Sequence, residues 1–317
     1  MAANYLRISV TDRCNLKCIY CHPLGGCDLI DHEKILTFEE IRRIVRLFVK
    51  CGIRKVRLTG GEPLVRKDIV ELVRELAGID GIEQLALTTN GVLLEPMAGQ
   101  LKEAGLQRVN ISVDSAQRQS YKHITGHDLL PEVTRGIHKA IEVGFKTVKI
   151  NAVILKGINE SEIPALARMS TDMPLAVRFI EYCPTSKYTK PASAFIPNSE
   201  VRKVIERELG PLSPALVRNI DGPALNFKLK DSAGTIGFIS GRSSIFCRNC
   251  NRLRLTSDGK VSPCLYSAHS YDVKGLIRAG AGDRVVLDLL KKILDEKSDF
   301  TKLNSPAPDF SMQNIGG

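Results

Sequence analysis

The chain has 317 residues, of which 43% are hydrophobic and 25% are charged, and its formal net charge at pH 7 is +10. This composition is ordinary for a globular protein, and no apolar run approaches the roughly 20 residues that a membrane-spanning helix needs. The first residues also lack the basic and apolar segments of a signal peptide, so we expect a cytoplasmic protein.

The basic excess fits either a solvated basic surface or an anionic ligand, such as a polyphosphate or a nucleic acid. The chain contains no Trp and few other aromatic residues. Stacking platforms for single-stranded nucleic acid are therefore not evident, and we expect no nucleic-acid partner.

Short apolar runs rich in β-branched residues alternate with longer segments of helical periodicity in the first 180 residues. The predicted strands are Leu6–Thr11, Lys55–Thr59, Gln84–Thr89, Arg108–Val113, Thr147–Val153 and Ala176–Ile180. The predicted helices are Thr37–Lys50, Ile69–Leu76, Leu94–Ala104, Pro131–Val143 and Glu160–Arg168. The first helix opens with a Thr-x-x-Glu pattern that is typical of a capping box.

Repeated strand–helix units predict a parallel sheet covered by helices. Six units are too few for a closed eight-stranded barrel, so we predict an α/β fold with an incomplete (β/α)6-type TIM barrel. The pattern changes near Pro184. A loop over Pro184–Pro197, a helix over Asn198–Leu209 and strands near Ala224–Leu229 and Thr235–Ile239 are predicted there. We expect residues 1–183 to form the core and residues 184–317 to form a C-terminal α+β extension.

Three of the nine cysteines, Cys14, Cys18 and Cys21, follow the first predicted strand with the spacing C-x-x-x-C-x-x-C. A fourth thiolate would complete a structural zinc site or a [4Fe–4S] cluster. Three thiolates leave one iron of a cluster open, and an open iron can chelate a substrate or a cofactor. A zinc knuckle with His22 as fourth ligand is the alternative interpretation.

This spacing, with the aromatic Tyr20 before the third cysteine, resembles the radical S-adenosylmethionine (SAM) superfamily. The Gly60-Gly61-Glu62-Pro63 segment at the end of the second strand strengthens the resemblance. The resemblance implies that SAM chelates the open iron. It also implies that an electron from the cluster cleaves SAM to methionine and a 5′-deoxyadenosyl radical.

A second cysteine group, Cys247, Cys250 and Cys264, lies near the C-terminus. Its spacing is as compatible with zinc, bound together with a histidine such as His269, as with a second iron–sulfur cluster. Arg252 and Arg254 alternate on an extended segment and so face the same side. Because guanidinium groups bind phosphate oxygens in a bidentate manner, these arginines favour a cluster beside an anionic substrate.

Four segments, residues 6–15, 57–64, 178–182 and 246–254, closely resemble the GTP 3′,8-cyclase (MoaA) family of molybdenum-cofactor biosynthesis. The family also ends in two glycines, as this chain does, and its glycine tail reaches into the active site. The resemblance implies that the deoxyadenosyl radical removes a hydrogen from C3′ of GTP and that the C3′ radical attacks C8. Reduction then gives (8S)-3′,8-cyclo-7,8-dihydroguanosine 5′-triphosphate.

The resemblance implies two [4Fe–4S] clusters, one on Cys14, Cys18 and Cys21 and one on Cys247, Cys250 and Cys264. The residues expected to contact SAM are Tyr20, Gly61, Glu62, Ser112 and Cys183, the last of which stands where the family has methionine. The residues expected to contact GTP are Arg7, Arg57, Thr88, Lys149, Arg178, Arg252, Leu253 and Arg254. Catalysis is expected to depend on Arg252, Arg254, Gly316 and Gly317.

The resemblance also implies partners. An electron donor such as flavodoxin or ferredoxin would reduce the first cluster, and cyclic pyranopterin monophosphate synthase would receive the product. A homodimer is compatible with the family, and no membrane partner is expected.

Two other functions stay open on sequence alone. A radical SAM enzyme with an auxiliary cluster could act on a peptide or another small molecule, although such enzymes usually carry more C-terminal cysteines. A metal-binding regulator that senses oxygen or iron would need an element that reads nucleic acid, and no convincing helix-turn-helix is evident.

Overall fold

Six parallel strands in sequential order form the centre of the fold. The computed structural model describes residues 3–21, 29–183, 192–215, 222–244, 250–267 and 269–299. The central strands are β1 (Tyr5–Ser9), β2 (Lys55–Thr59), β3 (Gln84–Thr89), β4 (Arg108–Ser112), β5 (Thr147–Ile154) and β6 (Ala176–Glu181). The helices between them are α1 (Phe38–Lys50), α2 (Ile69–Ala77), α3 (Leu94–Glu103), α4 (Arg118–Thr125), α5 (Leu130–Glu142) and α6 (Ile163–Asp172).

The six predicted strands are confirmed, with small differences at their ends. The first strand ends earlier than predicted, at Ser9, because the chain then turns toward the cysteine loop. Two hydrogen bonds hold this turn: Val10 N donates to Thr59 O at 2.9 Å, and Gly61 N donates to Thr11 O at 2.7 Å. Helix α4 was not predicted, since its buried residues are few.

The capping box at the start of α1 is confirmed. Glu40 N donates to Thr37 Oγ1 at 3.2 Å, and Thr37 N donates to Glu40 Oε2 at 2.8 Å. Two of the first backbone donors of the helix region are thus satisfied locally. The face that carries Ile41, Ile44 and Phe48 is fully buried in the core, as the helical periodicity predicts.

The C-terminal half adds strands to both edges of the same sheet. Its helices are α7 (Asn198–Leu209), α8 (Val273–Arg278) and α9 (Asp283–Asp299), and its strands are β7 (Ser213–Pro214), β8 (Leu225–Lys228), β9 (Thr235–Ile239), β10 (Arg252–Leu255), β11 (Lys260–Ser262) and β12 (Tyr271–Asp272). Strand β10 pairs with β1 and β9 pairs with β6, both in parallel, and antiparallel strands lie outside them. The incomplete barrel is therefore lengthened by one parallel strand at each edge.

Glu181 links the last central strand to the C-terminal half. Its carboxylate accepts hydrogen bonds from Asn198 N at 3.0 Å and from Arg242 N and Ser243 N at 2.9 and 2.8 Å. A carboxylate at the start of α7 interacts favourably with the helix dipole. No helix in the described ranges combines the length and the apolar composition that a membrane span requires.

Candidate active site

The parallel register places three arginines side by side at one level of the sheet. Arg254 on β10 lies opposite Arg7 on β1, and Arg7 lies opposite Arg57 on β2. Because side chains alternate between the two faces of a strand, all three point to the same face. These three residues are called the arginine row below.

The arginine row opens into a cavity of about 350 Å³ at the carboxyl ends of the strands, where parallel α/β folds place their chemistry. The cavity joins two chemically different ends. One end carries thiols and carboxylates, and the other carries arginines. Its lining includes Tyr5, Arg7, Cys14, Cys18, Tyr20, Cys21, Arg57, Gly61, Glu62, Thr88, Asn90, Asn110, Ser112, Asp114, Asn151, Arg178, Arg252 and Arg254.

The first cysteine group lines this cavity, and its three cysteines form no disulfide bond among the described residues. Cys14 Sγ accepts from Leu16 N at 3.4 Å and from Asn90 Nδ2 at 4.0 Å. Burial raises the pKa of Cys14, and burial together with the nearby Asp114 raises that of Cys18 well above its usual value. Such thiols need a cationic partner before they ionise, which a metal cluster supplies. The donor set therefore fits an iron–sulfur cluster.

Gly60 and Gly61 hold the cysteine loop against the second strand. A Cβ atom on Gly61 would lie 2.3 Å from Arg13 O, and one on Gly60, which has a φ of +150°, would lie 2.5 Å from Thr11 O. Glu62 N also donates to Arg13 O at 2.8 Å. The glycines are thus required by the close approach of two backbones, so that the loop is fixed relative to the cavity.

Two buried carboxylates line the cavity close to the thiols. Glu62 accepts from Thr89 Oγ1 at 2.7 Å and from Asn90 N at 2.6 Å, yet burial raises its pKa to about 7. Asp114 accepts from Tyr20 Oη at 2.5 Å, and burial raises its pKa to about 6. The bond from Tyr20 to Asp114 fixes the aromatic ring beside the cysteine loop.

The arginine end of the cavity is strongly electropositive. Burial and then the charges of Arg254 and Arg57 lower the pKa of Arg7 well below its usual value. Burial and then the charge of Arg252 lower the pKa of Arg254 to about 10. Arg57 is oriented by donating Nε–H to Tyr5 Oη and a second N–H to Thr88 Oγ1 at 3.1 Å. Several guanidinium groups held together in this way are chemically suited to bind a polyanion.

The described members of the second cysteine group lie beside this arginine end. Burial raises the pKa of Cys250, but the charges of Arg252 and Lys297 outweigh this effect and lower the pKa to about 7. Lys297 Nζ donates to Cys250 Sγ at 3.5 Å. Burial raises the pKa of Cys264, whose Coulombic neighbours include Lys297 and Arg254. A lowered thiol pKa favours the thiolate form, which is the form that binds metal. The third member of the group, Cys247, lies outside the described residues.

Comparisons with known proteins identify the family of this chain. The family model for the radical SAM superfamily matches residues 8–170, and the model named Molybdenum Cofactor Synthesis C matches residues 175–303. The chain is 48% identical to the GTP 3′,8-cyclase of Pelotomaculum thermopropionicum and 45% identical to that of Moorella thermoacetica. Each match covers 99% of this chain and 97% of the relative. The chain belongs to the GTP 3′,8-cyclase family.

Solved structures support the fold alone. Streptococcus suis SuiB superposes with a TM-score of 0.66 at 16% sequence identity, covering 94% of this chain and 68% of that one. SuiB bound to S-adenosylmethionine gives a TM-score of 0.63 at 15% identity, covering 91% and 68% of the two chains. At this low identity, the likeness carries no statement about substrate.

Membership of the radical SAM superfamily implies SAM and one [4Fe–4S] cluster as cofactors. Among the described residues, no three His, Cys, Asp or Glu side chains converge on a point that could hold a single metal ion. A cluster does not require such convergence, because each thiolate binds a different iron. The alternative zinc ligand His269 is exposed, and His22 lies outside the described residues.

Most of the predicted site residues that the structure describes line the cavity, but five do not: Lys149, Leu253, Cys183, Cys250 and Cys264. Lys149 is fully buried on β5, two residues before the cavity-lining Asn151 and on the same face. The side chain of Leu253 lies in the hydrophobic core, so that only its backbone is available to a ligand near Arg252 and Arg254. Gly316 and Gly317 lie outside the described residues.

Cys183, predicted to contact SAM, is also absent from the cavity lining. Its sulfur lies 2.7 Å from the hydroxyl of Tyr266, two residues after Cys264, so the thiol contacts the loop of the second cysteine group.

The structure also shows lining residues that sequence reasoning missed. Asn110 is buried and lies between Thr88 and Lys149 in the register. Its Oδ1 atom, and that of Asn151, are buried without a hydrogen-bond partner among the described residues. The period-two alternation along β4 and β5 could have identified both asparagines, because each is two residues away from a polar residue on the same face.

Proposed function

We infer that this chain converts GTP to (8S)-3′,8-cyclo-7,8-dihydroguanosine 5′-triphosphate, in the first step of molybdenum-cofactor biosynthesis. Its relatives named GTP 3′,8-cyclase are 48% and 45% identical over nearly its full length. The observation that carries the proposal is the shared cavity, which joins the first cysteine group to the arginine row. A radical source and a triphosphate site are the two parts that this reaction needs.

Cys14, Cys18 and Cys21 would hold the first cluster, with SAM in the cavity beside Tyr20, Gly61, Glu62 and Ser112. A cluster with bound SAM supplies the 5′-deoxyadenosyl radical that abstracts hydrogen from the ribose. Tyr20 is held by Asp114, and the Gly61 backbone is held by Thr11. These contacts hold two of the proposed SAM-contacting groups in place, which would orient the ligand before it reacts and lower the entropic part of the barrier. Cys183 would contact SAM while its sulfur also lies beside the hydroxyl of Tyr266.

The arginine end would bind the triphosphate and the base. Five arginines line the cavity: Arg7, Arg57, Arg178, Arg252 and Arg254. Thr88 accepts a hydrogen bond from Arg57. A polyanion relieves the repulsion between neighbouring guanidinium groups, so that its binding is favoured by the same charges that lower their pKa values. Lys149 would act from the same face as Asn151, and Leu253 would contact the ligand through its backbone.

Cys247, Cys250 and Cys264 would hold a second cluster beside the arginine row, and its open iron would bind the purine. The lowered pKa of Cys250 and the cations around it support this proposal. With Arg252 and Arg254, the Gly316-Gly317 tail would act in catalysis. We also propose that the boundary between the core and the C-terminal extension lies between residues 183 and 184. We further propose a cytoplasmic location, because thiols stay reduced there.

The proposed partners are GTP, an electron donor such as flavodoxin or ferredoxin, and cyclic pyranopterin monophosphate synthase as recipient of the product. A homodimer is a further proposal. The peptide-modifying alternative is not favoured, because the relatives that match along the whole chain are named GTP cyclases.

The test is an anaerobic reaction of the reconstituted protein with GTP, SAM and dithionite. We expect 5′-deoxyadenosine and the cyclised nucleotide to form together, as measured by liquid chromatography and mass spectrometry. SAM cleavage without a GTP-derived product would refute the proposed substrate.

A cysteine pair separates the second cluster from general thiol effects. Cys250→Ala should lose about half of the bound iron, because one of two four-iron clusters is absent. It should also lose cyclisation while keeping the capacity to cleave SAM. Cys51→Ala, at the end of α1 and away from the cavity, is the matched control. Equal iron contents in the two variants would contradict the second cluster.

A further inference from the structure

Lys297 occupies a position that the helical pattern assigns to an apolar residue. Val286, Leu290 and Ile293 form the buried stripe of α9, and all three are fully buried in the core. Their spacing of four and three residues places the next member of the stripe at residue 297. Lys297 stands there and is only 7% exposed. Lysine is almost never buried to this extent without a partner for its ammonium group.

The ammonium group faces the second cysteine group. Lys297 Nζ lies 3.5 Å from Cys250 Sγ and donates to it. The same charge is also among the causes that lower the pKa of Cys264. By contrast, Lys291 on the same helix is 65% exposed and lies 3.8 Å from Asp288. Burial of its side chain and a hydrogen bond to a thiol therefore distinguish Lys297 from the exposed Lys291 of the same helix.

We propose that Lys297 is a positioning residue that sets the reduction potential of the second iron–sulfur cluster through its hydrogen bond to Cys250. This inference rests on the second cluster of the proposed function. When such a cluster is reduced, it gains one electron and becomes more negative by one unit. A cation that donates to a ligand sulfur stabilises the reduced state more than the oxidised state, and so raises the potential.

The test isolates the second cluster in a full-length background in which Cys14, Cys18 and Cys21 are replaced by alanine. The protein is reconstituted anaerobically and titrated with dithionite in the absence of GTP, and the reduced cluster is followed by electron paramagnetic resonance. The dithionite supplies the single electron. Because no substrate is present, the result does not depend on which molecule the enzyme cyclises.

Lys297→Met retains the length of the side chain and removes the charge and the donor. We expect its ratio of oxidised to reduced cluster to rise about ten-fold at a fixed ambient potential, which is ~59 mV for a one-electron couple. Lys297→Arg, which keeps both charge and donor, should shift the ratio less. The surface control Lys291→Met should titrate like the unsubstituted background.

Several results would overturn the proposal. One is a Lys297→Met cluster that titrates like the background, and another is an equal shift in Lys297→Arg, which would indicate packing instead of charge. If Lys297→Met binds no iron whereas Lys297→Arg does, the lysine acts in cluster assembly and the proposal about potential is wrong. If Lys297→Met does not fold by circular dichroism, Lys297→Gln replaces it and should shift the ratio in the same direction. An unchanged ratio in Lys297→Gln would again refute the role.

Failure of this proposal and failure of the proposed function give different results. A protein that cyclises GTP but shows no shift in Lys297→Met keeps its function and loses this inference. A background that binds no iron at all would contradict the second cluster itself, and with it the role of Lys297.

Discussion

Replacement of Arg254 by methionine should make the free protein more stable and its binding of GTP weaker. Arg254 is only 7% exposed, and burial followed by the charge of Arg252 lowers its pKa from the ordinary arginine value to about 10. At about 1.4 kcal/mol per unit, this difference corresponds to an unfavourable contribution of ~3 kcal/mol to folding. A lowered pKa of a base means that the unfolded chain holds the proton more tightly. The unfavourable term is therefore fully present at pH 7 and disappears only as the pH rises through both values.

Methionine has a similar length, carries no charge and packs adaptably. We therefore expect Arg254→Met to raise the unfolding free energy by ~3 kcal/mol at pH 7. The same change removes a charge-assisted contact to the nucleotide, which is worth roughly 1.5–3 kcal/mol, or about 10- to 100-fold in affinity. The site would thus be electrostatically unfavourable until an anion binds.

Unfolding would be followed thermally on reconstituted protein without nucleotide, and GTP binding would be followed by calorimetry. The matched control is Arg207→Met, since Arg207 is 72% exposed in a surface ion pair with Glu208. Surface substitutions of this kind usually change the free energy of unfolding by no more than about 0.5 kcal/mol. If Arg254→Met unfolds at a lower temperature than the unsubstituted protein and still binds GTP with unchanged affinity, the electrostatic reasoning is wrong.

Three further predictions concern the rest of the cavity. Burial raises the pKa of Glu62 from 4.5 to about 7, so the folded state holds this proton more tightly and stability should fall as the pH rises between these values, by up to ~3 kcal/mol. Glu62→Gln should remove that component of the dependence, and identical melting profiles against pH would contradict it. Gly61→Ala should lose the first cluster and SAM cleavage, because its Cβ would meet Arg13 O at 2.3 Å, whereas the α3 control Gly99→Ala has open space and should keep its iron. Iron retention in Gly61→Ala would show that the loop can move. Asn110→Ala should raise the KM for GTP or SAM about ten-fold, as expected for loss of a buried hydrogen bond to a ligand. Steady-state kinetics with each substrate varied in turn would check this, and two unchanged KM values would remove Asn110 from the site.

The core strands could be predicted from the sequence because they depend on local patterns. Runs of β-branched residues, glycine-ended helices and the capping box at Thr37 and Glu40 each act within a few residues. The first cysteine group could be recognised for the same reason, since its three thiols lie in one short loop. The helix α9 was not predicted, and Lys297 interrupts its apolar stripe.

The sequence by itself determined which residues could carry the chemistry. The alternation of Arg252 and Arg254 along an extended segment is enough to place both side chains on one face. Only the tertiary structure decided which strand lies beside them. Strand β10 pairs with β1 across almost the whole chain, and this pairing sets Arg254 next to Arg7 and Arg57. No local pattern encodes such a register, because it depends on the packing of the complete sheet.

The same reason explains the side chains that the sequence could not orient. Leu253 was expected at the ligand with its neighbours, but a strand turns alternate residues to opposite faces, and its side chain packs in the core. Cys183 contacts Tyr266, and Lys297 contacts Cys250, across 83 and 47 residues of chain. These contacts form only when distant segments fold against each other, so they could be identified only from the assembled structure.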